Sequence, residues 1–143
     1  MTFLLDVNLL IALIDPAHEF HLDVHNWLFD NGPRLWATCP MTENSVPRIV
    51  GHPSYRNTPG GPSHVAEALS DLCSLPGHQF WPDDISILDR QRFNMARLLK
   101  SSQVTDSYLL ALAIAHGGQL ATLDRRLITD AVQNGAGGPH LIS

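Results

Sequence analysis

Residues 105–122 constrain the fold more than any other stretch of the chain. Thr105 offers an N-cap and Asp106 opens a helix. The run YLLALAIAH is then apolar nearly all round until Gly117-Gly118 ends it. A helix without a polar face cannot lie on the surface, so other elements must cover it on every side. Residues 119–122 follow as a strand, with Asp124 just beyond it.

The remaining segments supply that cover. Residues 2–6 read as a short buried strand, and residues 7–14 (VNLLIALI) as an apolar helix that follows at once, which leaves Asp6 at the strand's carboxyl end. Residues 18–29 carry Phe20, Val24, Trp27 and Leu28 at helical spacing, with Asn31-Gly32-Pro33 as the stop signal. A strand is expected over 34–37. Thr42 then serves as N-cap of a helix with Glu43 in its first turn and Pro47 inside it, where it should bend or restrict the helix.

Residues 52–62 are rich in Pro and Gly and read as a loop. Val65, Leu69, Leu72 and Cys73 form a helical stripe, 79–81 a strand, 89–99 a further helix of less regular pattern, and 140–142 a last short strand. Strands alternating with helices give right-handed crossovers and a mainly parallel sheet covered on both faces, so the class is α/β. With 143 residues, a second core would leave each half too small, and the whole chain, 1–143, is expected to form one domain.

Hydrophobic residues make up 44% of the chain and charged residues 16%, a balance suited to a packed core. The longest apolar stretch near the start, Val7 to Ile14, is too short to span a bilayer, so no membrane association and a cytoplasmic location are expected. Cys39 and Cys73 have no metal-type spacing and are expected to be buried thiols in a reducing compartment.

A net charge of −5 opposes general nucleic-acid binding, which draws on Lys and Arg. Two clusters offset this locally: Arg90, Arg92, Arg97 and Lys100, and the pair Arg125 and Arg126 after Asp124. The first cluster is equally compatible with an ordinary solvated helix face.

In open parallel sheets, sites form outside the carboxyl ends of the strands. Asp6, Glu43, Asp106 and Asp124 all fall just past a strand or in the first turn of a helix leaving that edge. Two carboxylates about 4 Å apart repel by roughly 4 kcal/mol at an effective dielectric near 20, so four ionised together call for a cation. Mg²⁺ or Mn²⁺ suits an all-oxygen donor set. Taken singly, each acid also has a plain structural reading: dipole compensation for Asp106 and Glu43, a turn or ion pair for Asp124. Asp6 is the hardest to explain that way, because it joins two apolar segments.

LLDVNLLIALI, the CPMTENSV segment, VTDSYLLALA and ATLDRRL closely resemble the four acidic motifs of PIN-domain nucleases, especially VapC-type toxins, in order and spacing along essentially the whole chain. The resemblance implies a PIN-like three-layer fold, a central mainly parallel sheet flanked by helices. It implies Asp6, Glu43, Asp106 and Asp124 as the acidic, metal-binding constellation, with Asn8 and Thr105 as supporting polar residues and Ser107 beside the third acid. The activity it implies is magnesium-dependent hydrolysis of RNA phosphodiester bonds, Mn²⁺ being an alternative ion, with Arg125 and Arg126 as RNA contacts. The implied partners are a VapB-like antitoxin and a second copy in a homodimer. Pro47, within the helix that presents Glu43, and the extra acids Asp83 and Asp84 depart from the motif; the latter two are expected to cap the next helix.

Two rival classes remain at the level of sequence. A phosphatase or phosphotransfer domain could use Asp6 as nucleophile, although Asn8 stands where the second acid of a DxD pair would be and Lys100 is the chain's one lysine. A noncatalytic PIN-like binding module could keep the acidic groove without turnover. His18, His21 and His25 lie at helical spacing but lack the HExxH pattern and read as a solvated face. His116 is expected to interact with the end of its helix, and Trp36 and Trp81 to sit in the core.

Overall fold

The computed structural model describes residues 1–30 and 34–142, so the stop signal Asn31-Gly32-Pro33 lies outside the described residues. Among them the strands are β1 (Phe3–Leu5), β2 (Trp36–Thr38), β3 (His78–Phe80), β4 (Gln119–Thr122) and β5 (Pro139–Leu141). The helices are α1 (Val7–Ile14), α2 (His21–Phe29), α3 (Pro40–Val50), α4 (Pro62–Cys73) and α5 (Gln103–Ala115). Every strand pairing is parallel, in the order β3-β2-β1-β4-β5.

Strand alternation divides the interior in two. Phe3 and Leu5 point to one face with Trp36, where they meet Leu9, Leu10 and Leu13 of α1, Val24 and Leu28 of α2, Val46 and Val50 of α3, and Val65 and Leu69 of α4. Leu4, Ala37 and Leu120 point to the other face, against Leu109 to Ala113 of α5. The result is a three-layer PIN-like α/β fold, as expected from the sequence. Helix α5 needs no polar face because Phe93 and Val132, from the long connections, join the same cluster on its outer side.

Gly117 ends α5 with φ of 73°, a conformation L side chains rarely adopt, while a Cβ at Gly118 would fall 2.2 Å from the Thr2 carbonyl oxygen. These two glycines let the chain turn back and enter β4 tight against β1.

Several expectations are corrected. Residues 89–99 form no α-helix: Asp89 accepts from Gln91 N–H at 2.9 Å and Asn94 from Ala96 N–H at 3.1 Å, local bonds that compete with a helical ladder. A single 3₁₀ turn, Met95–Arg97, follows, and the segment pairs instead with residues 131–133 through Asn94 N–H to Ala131 O and Gln133 N–H to Arg92 O. Arg92 pairs with Asp89 at 3.3 Å. Helix α5 begins three residues before Asp106, so Thr105 lies inside its first turn and is not the N-cap. Helix α2 starts at His21, later than expected.

Thr42 is not an N-cap either. Cys39 occupies that position, and the Thr42 hydroxyl folds back to accept from Cys39 N–H at 3.0 Å. Pro47 is accommodated, since α3 runs on to Val50. Asp83 and Asp84 cap no following helix. Asp83 reaches α3, accepting from Met41 N–H at 3.1 Å and from the Tyr108 hydroxyl at 2.9 Å. Asp84 lies 3.0 Å from His116 Nε2. His116 does terminate α5 by its backbone, but its ring stacks on Trp81 at 4.5 Å. Trp36 and Trp81 are buried, as expected. Cys39 is buried, whereas Cys73 is only half-buried. No helix among the described residues is long and apolar enough to cross a membrane.

Candidate active site

Strands β1, β2 and β3 run in sequence to one side, and β4 then pairs with β1 on the other. The order of the sheet therefore reverses between β1 and β4, which is where α/β sheets open a crevice at their carboxyl ends. Asp6 follows β1 directly, Asp124 lies two residues past β4, and Asp106 sits in the first turn of α5, the helix that leads into β4. The chain path alone brings these three to the switch point.

Asp6 is 5% exposed, and both its oxygens are engaged. Oδ1 accepts from Val7 N–H at 2.8 Å, which caps α1, and Oδ2 accepts from the Thr122 hydroxyl at 2.7 Å. Burial pushes the Asp6 carboxyl above the usual range; the bonds from Thr122 and Val7 oppose that, and the charge of Asp124 adds to it. Asp106 is half-buried and is pushed up to about 6, by burial first and then by the charges of Asp6 and Asp124. The three carboxylates thus share one field.

Thr122 is a hub that the sequence reading missed. Its hydroxyl donates to Asp6 and accepts from Asn8 Nδ2 at 3.3 Å and from Asp124 N–H at 3.0 Å, using its one proton and both lone pairs. Asn8 Oδ1 in turn accepts from Leu123 N–H at 3.2 Å. Asp124 Oδ1 accepts from Arg126 N–H at 2.8 Å, so the turn after β4 is shaped around the acid, with Arg125 and Arg126 exposed on it. A Thr closing an apolar strand two residues before an acid was the available signal, because that spacing suits a side-chain turn.

Glu43 has other neighbours. It follows β2, on the side of β1 away from β4, and its Oε2 accepts from the Thr38 hydroxyl at 2.7 Å. The same hydroxyl lies 2.7 Å from His78 Nε2. One ligand atom each from Glu43, Cys73 and His78 lie within 4.8 Å of one another. The structure therefore couples Asp6, Asp106 and Asp124 electrostatically and gives Glu43 contacts of its own with Thr38, Cys73 and His78. Thr105 is exposed on the first turn of α5. His18, His21 and His25 form no such cluster: His21 Nδ1 donates to Ala12 O at 2.7 Å and His25 is exposed.

The candidate ligand atoms of Asp6, Asp106 and Asp124 are all carboxylate oxygens, and the side chain that touches Asp6 is a hydroxyl, that of Thr122. Such a set fits a hard divalent ion. The oxygens of the three acids do not all lie within 4.8 Å of one another, so they do not by themselves form a closed ligand cage.

No family model matches the chain. It is similar along nearly its full length to Ribonuclease VapC44 of Mycobacterium tuberculosis, with 39% identity over 141 residues covering 99% of this chain and 98% of that protein. Ribonuclease VapC39 of the same organism is 37% identical over 131 residues, covering 92% and 94%, and Ribonuclease VapC29 is 40% identical over 131 residues, covering 89% of each. Among solved structures, VapBC2 from Rickettsia felis, bound to a DNA fragment from its promoter, matches with a TM-score of 0.53 at 12% identity, over 88% of this chain and 90% of that one. The structural likeness supports the PIN-like fold, and identities of this size over almost the entire length establish that the chain belongs to the VapC ribonuclease family.

Proposed function

We propose that this chain, acting as one domain, is a Mg²⁺-dependent endoribonuclease and the toxin of a pair with a VapB-like antitoxin. The observation that carries this is the convergence of Asp6, Asp106 and Asp124 at the β1–β4 switch point, where the charge of Asp124 weighs on Asp6 and both weigh on Asp106. Three acids held together without function would only cost stability. A bound cation turns that cost into affinity.

In this reading Asp6, Asp106 and Asp124 hold the ion, with Mn²⁺ able to replace Mg²⁺. The metal supplies an activated water and charge for the phosphate oxygens. The protein supplies position. Thr122 fixes the rotamer of Asp6, and Asn8 fixes the path out of β4, so that Asp124 is presented from a shaped turn. Arg125 and Arg126 flank that turn and would meet the RNA backbone. Glu43 would orient water or reach the ion after leaving Thr38, and Thr105 lines the approach.

Asp6 as a phosphoryl acceptor is disfavoured, because both its oxygens are tied to neighbouring donors and it is almost fully buried. An antitoxin Arg could pair bidentately with the same carboxylates and so compete with the metal. The proposed setting is cytoplasmic. Exposed Leu22, Leu88 and Leu99 offer apolar surface for a homodimer, whereas α1 and α5 are spent on the core.

The deciding experiment is cleavage of single-stranded RNA by purified protein in Mg²⁺, with and without Asp106→Asn. The substitution should reduce turnover by more than about 100-fold and weaken metal binding, while circular dichroism stays unchanged. No cleavage by the parent chain in Mg²⁺ or Mn²⁺, together with unaltered metal affinity in Asp106→Asn, overturns the reading.

A further inference from the structure

We infer that Glu43, Cys73 and His78 form a second metal site, selective for Zn²⁺-class ions and distinct in its donor set from the three aspartates. The three residues come from α3, the end of α4 and the start of β3, and one ligand atom of each lies within 4.8 Å of the other two. Tetrahedral zinc sets its ligand atoms roughly 3.3–3.6 Å apart, so small side-chain rotations close the site. One thiolate, one imidazole and one carboxylate make a mixed donor set that favours zinc over the hard ions suited to the aspartates.

The surroundings are those of a metal site. His78 packs edge-on against buried Trp36, with ring centroids 4.7 Å apart, and Thr38 Oγ1 engages both His78 Nε2 and Glu43 Oε2, so two ligands are already oriented. Since that hydroxyl gives its one proton to Glu43, His78 Nε2 carries its own hydrogen. Coordination through Nδ1 keeps the Thr38 contact, whereas coordination through Nε2 gives that contact up and turns the ring as well as shifting its proton. A cavity of about 300 Å³ lined by Glu43, Pro47, Ala66, Leu69, Ser70 and Cys73 opens beside two of the three ligands and gives an ion access to them. Burial lowers the affinity of His78 for a proton, which keeps the ring neutral, whereas burial holds the Cys73 thiol protonated. Binding therefore releases the thiol proton to solvent as the metal–sulfur bond forms.

One consequence rests on the ribonuclease reading. Zinc held here engages Glu43 and keeps it from reaching the catalytic ion, so the site acts as an inhibitory switch.

Co²⁺ is the probe for binding. Titrated into the metal-free chain, it should give a thiolate-to-cobalt charge-transfer band saturating at one equivalent, with one proton released, and Zn²⁺ should displace it. Cys73→Ser should abolish the band and Cys39→Ala should leave it. His78→Gln should weaken binding by at least about tenfold, since even second-sphere losses cost that much. A parent chain without the band, or a band that survives Cys73→Ser, overturns the site. Should Cys73→Ser fail to fold by circular dichroism, unchanged affinity in His78→Gln overturns it instead. For the switch, one equivalent of Zn²⁺ should slow Mg²⁺-supported RNA cleavage by the parent and spare Cys73→Ser; equal inhibition of both refutes it. A band without any RNA cleavage removes the ribonuclease reading and leaves the metal site standing, and cleavage without a band does the reverse.

Discussion

The Thr122 hydroxyl donates a 2.7 Å hydrogen bond to Asp6 Oδ2, fastening the end of β4 to the end of β1 between residues 116 apart in sequence. Asp6 is buried, so the loss of this donor is not repaired by water. Thr122→Val should cost about 1–3 kcal/mol, read from the urea midpoint. The Asp6 carboxyl, already raised by burial, should rise further, so Mg²⁺ affinity should fall at neutral pH and recover in part at higher pH. An unchanged midpoint would show that the bond contributes nothing net.

Asp106 is pushed to about 6, against a reference value of 3.8. Below both values the group is protonated in both states and costs nothing. Between them the unfolded chain ionises first, so metal-free stability falls as pH rises, and the loss is complete above about pH 6. The expected size is on the order of 2 kcal/mol. Asp106→Asn should flatten this slope and stabilise the metal-free fold while removing RNA cleavage. Urea titrations across the acid range test it, and a parallel slope in the variant would assign the pH dependence to other groups.

Mg²⁺ should stabilise the parent chain by relieving the same repulsion. An ion at 100 times its dissociation constant adds about 2.7 kcal/mol by mass action. The melting temperature should rise with Mg²⁺ in the parent and much less in Asp106→Asn. Excess Mg²⁺ should also weaken an inhibitory antitoxin peptide, and complete insensitivity of the peptide to Mg²⁺ would exclude competition at the carboxylates.

Asp15 is buried and accepts from the Tyr55 hydroxyl at 2.6 Å, from Ala17 N–H at 2.9 Å and from Asn57 Nδ2 at 3.4 Å, tying the loop before α4 to the end of α1. Burial alone would raise its carboxyl, but these donors, with His18, outweigh burial and hold it below 3.8. Its stabilisation is therefore present above that value and lost as pH falls through the lower folded one. Tyr55→Phe should cost about 1–2 kcal/mol at neutral pH, with the difference from the parent shrinking in strong acid. A difference that does not change with pH would count against the carboxylate as Tyr55's energetic partner.

Asp83→Ala should loosen the start of α3, because its carboxylate serves Met41 N–H in place of a cap from Cys39. The expected loss is about 1 kcal/mol, and Tyr108→Phe should lose part of the same amount. Hydrogen exchange at Met41 reads the effect directly.

Local pattern was enough to read α1 and β4 at their observed bounds, the buried character of α5 and the parallel α/β class, because side-chain periodicity and glycine stops act over a few residues. It misjudged residues 89–99, where a pairing with residues 131–133 and two Asx turns overrode a weak helical pattern, and it misplaced the caps of α3 and α5. That Asp6, Asp106 and Asp124 could meet followed from strand ends and topology. Their common anchor, Thr122, and the partnership of Glu43 with Thr38, Cys73 and His78 depend on which strand lies beside which. Strand order is a property of the folded sheet, set by packing across the whole chain, and no run of neighbouring residues encodes it alone.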